Sequence, residues 1–189
     1  SSVQSALDWV GYDQDSEQSE VAQESVEDDG KIRIGGDGVE LKVPMMIWNE
    51  KFTAPGNAKK TVAAVKMQLE LPEGGTDDRF GWTAVDAEKA PMAALWVDAR
   101  DGSLNYTSGS GVTTALNQRM ISGSPVSIEF LHDAAANELK VLFEGVVIHT
   151  DTSIRSGSSF STISATYQPA PGEVAHGTMI FTDLDVRYE

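Results

Sequence analysis

Cysteine is absent from all 189 residues, which excludes disulfides, thiolate metal centres and a cysteine nucleophile. That absence leaves the compartment open, because disulfide-free proteins occur on both sides of a membrane. No run of about 18 apolar residues occurs, so no transmembrane helix is expected. Histidine is scarce as well, with three in the chain, and this limits acid–base chemistry at neutral pH. Positive charge is in short supply: 14 Lys and Arg stand against 29 Asp and Glu, a formal net charge of -15. Nine of the acids and none of the bases fall in residues 1–30, which leaves 20 acids against 14 bases in the remainder. Such a chain repels a phosphate backbone, and no basic aromatic patch or Gly-Lys-Ser/Thr phosphate loop offsets the repulsion, so nucleic acid is not an expected partner. The chain begins at Ser1 without Met. A processed N-terminus with any signal peptide removed is the expectation, in an extracellular or cell-surface protein of the bacterial secreted kind.

What is present is two-residue alternation. In the stretch 125–151, Val126, Ile128, Phe130 and His132 alternate with Ser127, Glu129 and Leu131; further on, Leu139, Val141 and Phe143 alternate with Lys140, Leu142 and Glu144. Period two over that length predicts an antiparallel hairpin. Asp133 to Asn137 form its turn, and Gly145 interrupts the second arm where a bulge or tight bend would sit. The same alternation runs through Thr61 to Leu71, with Ala63, Val65, Met67, Leu69 and Leu71 on one face. Further strands are expected at Lys31 to Gly35, Val39 to Val43, Phe80 to Asp86, Met92 to Asp98, Leu104 to Thr107, Ser161 to Tyr167 and Thr178 to Tyr188. Thr113 to Ile121 fits a short helix or a strand. No internal repeat and no helix of more than a few turns is visible. Many short strands joined by Gly- and Pro-containing turns predict an all-β, two-sheet antiparallel sandwich of jelly-roll type. Residues 30–189 make one domain of ordinary size, and residues 1–29 form an acidic N-terminal arm packed on it or extending from it. A short amphipathic helix within Ser16 to Val26 is allowed by the pattern.

The run VSIEFLHDAAANELKVLFEGVVIHT resembles the signature hairpin of concanavalin A-like domains of the laminin G and legume-lectin type. In that hairpin an aromatic, an acidic or polar residue and Gly (here Phe143, Glu144, Gly145) precede an aliphatic strand. Asp101 to Leu104 is similar to a turn and strand placed midway in such domains. The strand Ile180 to Val186 is similar to their last, which pairs beside the N-terminal strand. The likeness covers roughly 30–189 and implies a concanavalin A-like jelly roll. It spans lectins, carbohydrate-binding modules, adhesion domains, hydrolases and lyases, so fold does not select function. The glucanase-like branch carries a Glu-x-Asp-x-x-Glu strand, which nothing here matches. The alginate-lyase branch uses Arg-rich, Gln-x-His and Tyr-containing strands, for which this chain offers only scattered pieces, Gln118, Arg119, His132 and Tyr167.

Three chemistries are therefore candidates. Carbohydrate binding needs an aromatic plane for a sugar ring and nearby polar groups for its hydroxyls. Trp82 and Trp96, in neighbouring expected strands, with Asp98, Arg100 and Tyr106 close behind, form the expected surface, which Asn105 and Gln118 would extend. The competing reading puts both tryptophans in the core. A structural calcium is expected at Asp183 and Asp185, with Asp8, Asp37 or a carbonyl near Gly38 completing its oxygen shell; the competing reading is a pair of solvated carboxylates. A polysaccharide lyase acting on a uronate-containing glycan would draw a base from His132, His149 or His176, an acid from Tyr106 or Tyr167, and a neutralising cation from Arg79, Arg100 or Arg119. For each histidine the competing reading is a hydrogen-bonded strand-end residue. A last alternative is a structural subunit of a surface layer, filament or virion, in which the acidic arm adds to a neighbour's sheet edge in a homo-oligomer.

Overall fold

The computed structural model describes residues 2–4, 9–36, 43–49, 54, 57–172 and 175–189. In chain order the strands are β1 (Ser2–Gln4), β2 (Trp9–Asp13), β3 (Ile32–Gly35), β4 (Met45–Asn49), β5 (Lys60–Glu70), β6 (Arg79–Asp86), β7 (Pro91–Asp98), β8 (Ser103–Ser108), β9 (Thr113–Arg119), β10 (Val126–Asp133), β11 (Glu138–Phe143), β12 (Val146–Asp151), β13 (Phe160–Gln168) and β14 (Thr178–Tyr188). One short helix, α1 (Glu20–Gln23), lies between β2 and β3. The described strands form two seven-stranded sheets. The first runs β1-β14-β5-β10-β11-β12, with β3 also on β14, and the second runs β2-β4-β13-β6-β7-β8-β9. Every pairing is antiparallel. The result is a two-sheet jelly-roll sandwich, as the alternation predicts.

Alternation sets the core. In β5, Ala63, Val65, Met67 and Leu69 are buried, and across the sandwich Phe80, Trp82 and Ala84 of β6 meet them with Leu95 and Val97 of β7. Trp82 stacks on Phe181 with centroids 5.4 Å apart, and Phe80 stacks on Tyr167 at 5.1 Å. The expected long hairpin is instead a three-stranded meander. Its first turn is at 134–137, and the second arm folds back on itself at Glu144 and Gly145, whose φ values of 51° and 79° make the tight two-residue turn that pairs Phe143 with Val146. Two successive positive φ angles are what such a turn requires, and Gly supplies the second without a Cβ.

A β-bulge explains the mixed faces of the last strand. Met179 and Phe181 point inward; the register then shifts between Thr182 and Asp185, with Asp183 at φ 55°, and beyond it Val186 and Tyr188 point inward. β1 pairs with β14, as in the domains the sequence resembles. The N-terminal segment is woven into both sheets: β1 joins the first, β2 joins β4 at the edge of the second, and β3 returns to β14. Between them α1 is capped by the Ser19 hydroxyl, which accepts from the Ala22 N–H at 3.2 Å. Buried Ala22 sits against Gly11, where a Cβ would fall 2.5 Å from the Gln23 nitrogen. The opposite edge strands, β9 and β12, each carry a register irregularity against their partners, a device that discourages strand addition. The strand expected at Val39 to Val43 falls, apart from Val43, outside the described residues.

One end of the sandwich is tied by a buried carboxylate. Asp78 has no exposure and accepts four hydrogen bonds: from the Ala170 N–H at 2.7 Å, the His176 Nδ1 at 2.8 Å, the Gly177 N–H at 2.8 Å and the Thr76 hydroxyl at 2.5 Å. Burial raises the carboxyl pKa, but the bonds from Thr76, His176, Ala170 and Gly177 outweigh it and hold the group below the usual value. Three loops, β5–β6, β7–β8 and β13–β14, meet there, because Ala99 also donates to the Asp78 carbonyl at 2.9 Å.

Candidate functional site

The face of the second sheet turned away from the core is the chemically suggestive surface. Register sets Trp48, Ser164, Thr83, Ala94 and Thr107 side by side in one row. The next row holds Met46, Thr166, Gly81, Trp96 and Asn105, and beyond it lie Gln168, Arg79 and Asp98. Trp48 and Trp96, both half-buried, stand on β4 and β7, three strand spacings or about 14 Å apart. Thr83 and Thr166 floor the space between them, with the buried Ser164 hydroxyl oxygen 3.3 Å from that of Thr166. Val10 and Tyr12 extend the same face on β2.

Glycine at position 81 shapes one wall. A Cβ there would come within 2.8 Å of Trp96 Cζ3, so the indole rests over the bare backbone of β6. The Arg79 guanidinium lies over the Trp96 ring at 4.5 Å from its centroid, a cation–π contact, and donates to Gln168 Oε1 at 3.4 Å.

The expected binding residues do not all come together. Trp96 and Asp98 lie on this face. Trp82 has no exposure and Tyr106 is 1% exposed, so no sugar reaches either; the binding role expected of them is corrected. Their neighbours carry the signal: Trp82 alternates in phase with Phe80 and Ala84, and Tyr106 with Leu104, all core. Tyr106 donates to Asp151 at 2.5 Å under the His149 ring, and burial, then that bond, raises its pKa. Arg100 is held to the β5–β6 loop by Asp77 at 2.6 Å and by the Gly74 carbonyl. Asp98 accepts from the Arg100 N–H at 2.9 Å. Trp48, the half-buried second tryptophan of the face, is not among the expected residues, although Met46 and Trp48 alternate with buried Met45 and Ile47 in Met-Met-Ile-Trp-Asn.

Of the residues named for a lyase, His149 meets Tyr106, with ring centroids 4.3 Å apart, but Tyr106 is buried and donates to Asp151. His132 and His176 are buried, His132 in the first sheet and His176 beside Asp78. The Tyr167 hydroxyl is buried without a hydrogen-bond partner, and burial, then the Asp78 charge, raises its pKa. Gln118 and Arg119 lie on edge strand β9. At the expected calcium position, Asp183 is exposed and pairs with Lys66 at 3.7 Å, while Asp185 Oδ1 is buried without a partner. Asp8, Asp37 and Gly38 lie outside the described residues. No group of three or more metal-binding side chains occurs among those described.

No protein-family model matches the chain, and no curated protein matches it in sequence. Solved structures do. The Emp47p carbohydrate recognition domain superposes with a TM-score of 0.67 at 15% identity, over 95% of this chain and 88% of that one. A β-1,3-1,4-glucanase from a mouse hindgut metagenome gives 0.64 at 12% identity, over 97% and 92%. Arcelin-5, a lectin-like defence protein from Phaseolus vulgaris, gives 0.61 at 7% identity, over 97% and 92%. The fold is a concanavalin A-like jelly roll.

Proposed function

We propose that this chain is a non-catalytic carbohydrate-binding domain that receives an oligosaccharide along the outer face of its second sheet, between Trp48 and the Trp96–Arg79 stack. The observation that carries the reading is the make-up of that face: two half-buried tryptophans about 14 Å apart across a floor of hydroxyl side chains. Aromatic planes take the C–H face of a sugar ring, and Thr and Asn groups exchange hydrogen bonds with its hydroxyls. The rows described hold no histidine and no glutamate, which favours binding over acid–base cleavage. The similar structures, a carbohydrate recognition domain, a glucanase and a lectin-like protein, support the same class of ligand. An extracellular or cell-surface setting belongs to the proposal, because polysaccharide is met there. A glycan array probed with the wild type, Trp48→Ala and Trp96→Ala tests it. Binding that drops by at least about tenfold in either folded variant supports the reading. An array without any bound glycan, or unchanged binding by both variants, overturns it.

A further inference from the structure

Arg79 stands apart from the other arginines. Arg33, Arg100, Arg119, Arg155 and Arg187 each reach a carboxylate, at Glu27, Asp77, Asp101, Asp86 with Glu88, and Glu129 respectively. In a chain of net charge -15 that outcome is expected. Arg79 alone among the described arginines has no carboxylate within ion-pair distance, although register puts Asp98 directly across from it on β7. Asp98 accepts instead from the Arg100 N–H, and the Arg79 guanidinium turns along the sheet onto Trp96. Its one hydrogen bond is the long one to the Gln168 side-chain oxygen. Most of its N–H donors therefore have no protein acceptor among the described residues, and the contact with Trp96 places them at one wall of the proposed sugar face.

A planar guanidinium with a rigid fork of donors matches an oxyanion, which it binds through two parallel charge-assisted hydrogen bonds. We propose that Arg79 makes the face selective for an anionic glycan, with the guanidinium engaging the carboxylate or sulfate of a sugar residue stacked beside Trp96. The inference rests on the carbohydrate-binding reading and narrows its ligand class. Beside Arg79, the residues Thr166, Gly81 and Asn105 bring no charge, and the one acid of its own row, Asp98, accepts from the Arg100 N–H. Acidic residues elsewhere repel anionic polymers at long range, so the selectivity must arise at contact distance from this side chain.

Titration calorimetry with the full chain tests the proposal, using three probes: an oligogalacturonate, the same oligosaccharide after carboxyl reduction, and a sulfated carrageenan oligosaccharide. The wild type should bind an anionic probe at least about tenfold more tightly than the reduced one. The carboxylate is the group recognised if the oligogalacturonate leads, and the sulfate if the carrageenan does. Arg79→Met, which keeps an apolar stem over Trp96, should abolish the preference by weakening the anionic probe far more than the reduced one, and Arg79→Lys should keep part of it. Equal loss for charged and neutral probes in Arg79→Met would mean that Arg79 only props Trp96, and would overturn the proposal. Equal wild-type affinity for neutral and charged probes, with Trp48→Ala lowering both, would overturn anion selectivity and leave the carbohydrate-binding reading standing. Binding of no glycan at all would end both.

Discussion

Replacing Asp78 with Ala is the sharpest test of what holds one end of the sandwich closed. The carboxylate is fully buried and accepts from two backbone N–H groups, one imidazole N–H and one hydroxyl. Ala satisfies none of these donors, and each buried group left unpaired costs roughly 1–3 kcal/mol. The contributions do not add fully, because Thr76 and the two loops can relax toward water, so the low end of their sum applies. About 4 kcal/mol is the expected loss, a large part of a domain's typical stability of roughly 5–15 kcal/mol. For a chain of this size that lowers the melting temperature by about 10 °C. Asp78→Asn should fall between wild type and Ala, because its amide oxygen keeps two acceptor sites while its NH2 faces donors. Urea unfolding followed by circular dichroism measures the loss directly. A cost below about 1 kcal/mol, the level of an exposed ion pair, would refute the claim that Asp78 ties the three loops together.

The remaining predictions concern pH, the sugar face and the metal. His132 is 3% exposed, and burial, partly offset by the Asp133 charge, lowers its pKa from 6.5. The folded state thus favours neutral imidazole, and stability, full above pH 6.5, should fall as pH drops from there through the lowered value. A second loss should begin near 3.8, where these carboxyls take up protons in the unfolded chain, and run down through the lowered values of Asp78 and Asp151 in the fold. His132→Gln should flatten the upper limb in denaturant titrations at several pH values; an unchanged limb would contradict the assignment. Gly81→Ala pushes a Cβ toward Trp96, but the indole is half-buried and can swing away, so stability should change by no more than about 1 kcal/mol while oligosaccharide affinity falls. Unchanged affinity would show that the resting place of Trp96 does not matter. Because Lys66 already pairs with Asp183, excess chelator should leave the melting temperature unchanged; a fall of several degrees would restore calcium at Asp183 and Asp185.

Long, half-buried strands were legible in the sequence because burial of one face writes a two-residue period. β5, β10 and β14 match the expected bounds to within a residue or two at each end. β4 escaped notice because Met-Met-Ile-Trp-Asn is apolar on both faces, as a strand is when its outer face carries aromatics. β2 was hidden by the acidity of its surroundings: Trp9 and Gly11 look like isolated apolar residues until α1 is seen packed against them. The meander was read as a hairpin because Glu-Gly marks a bulge and a reversal equally well, and only pairing partners separate the two. At the site, alternation with Phe80, Ala84 and Leu104 already assigns Trp82 and Tyr106 to the core. Trp96 was ambiguous, since Leu95 and Val97 make both faces of its strand apolar. The unmatched state of Arg79 was not legible at all, because it depends on Asp98 accepting from its own turn across a strand pair.

The chain has four tryptophans: Trp48 and Trp96 stand on the proposed sugar face, while half-buried Trp9 packs against the core and buried Trp82 lies within it, their rings 6.3 Å apart. Their indole N–H resonances, each assigned by single Trp→Phe substitution, can be followed by NMR as an oligosaccharide is titrated in. The account predicts that the Trp48 and Trp96 signals move together with saturation while those of Trp9 and Trp82 stay in place. Shifts confined to Trp9 or Trp82, or four unmoved signals with every glycan that the array offers, would contradict it.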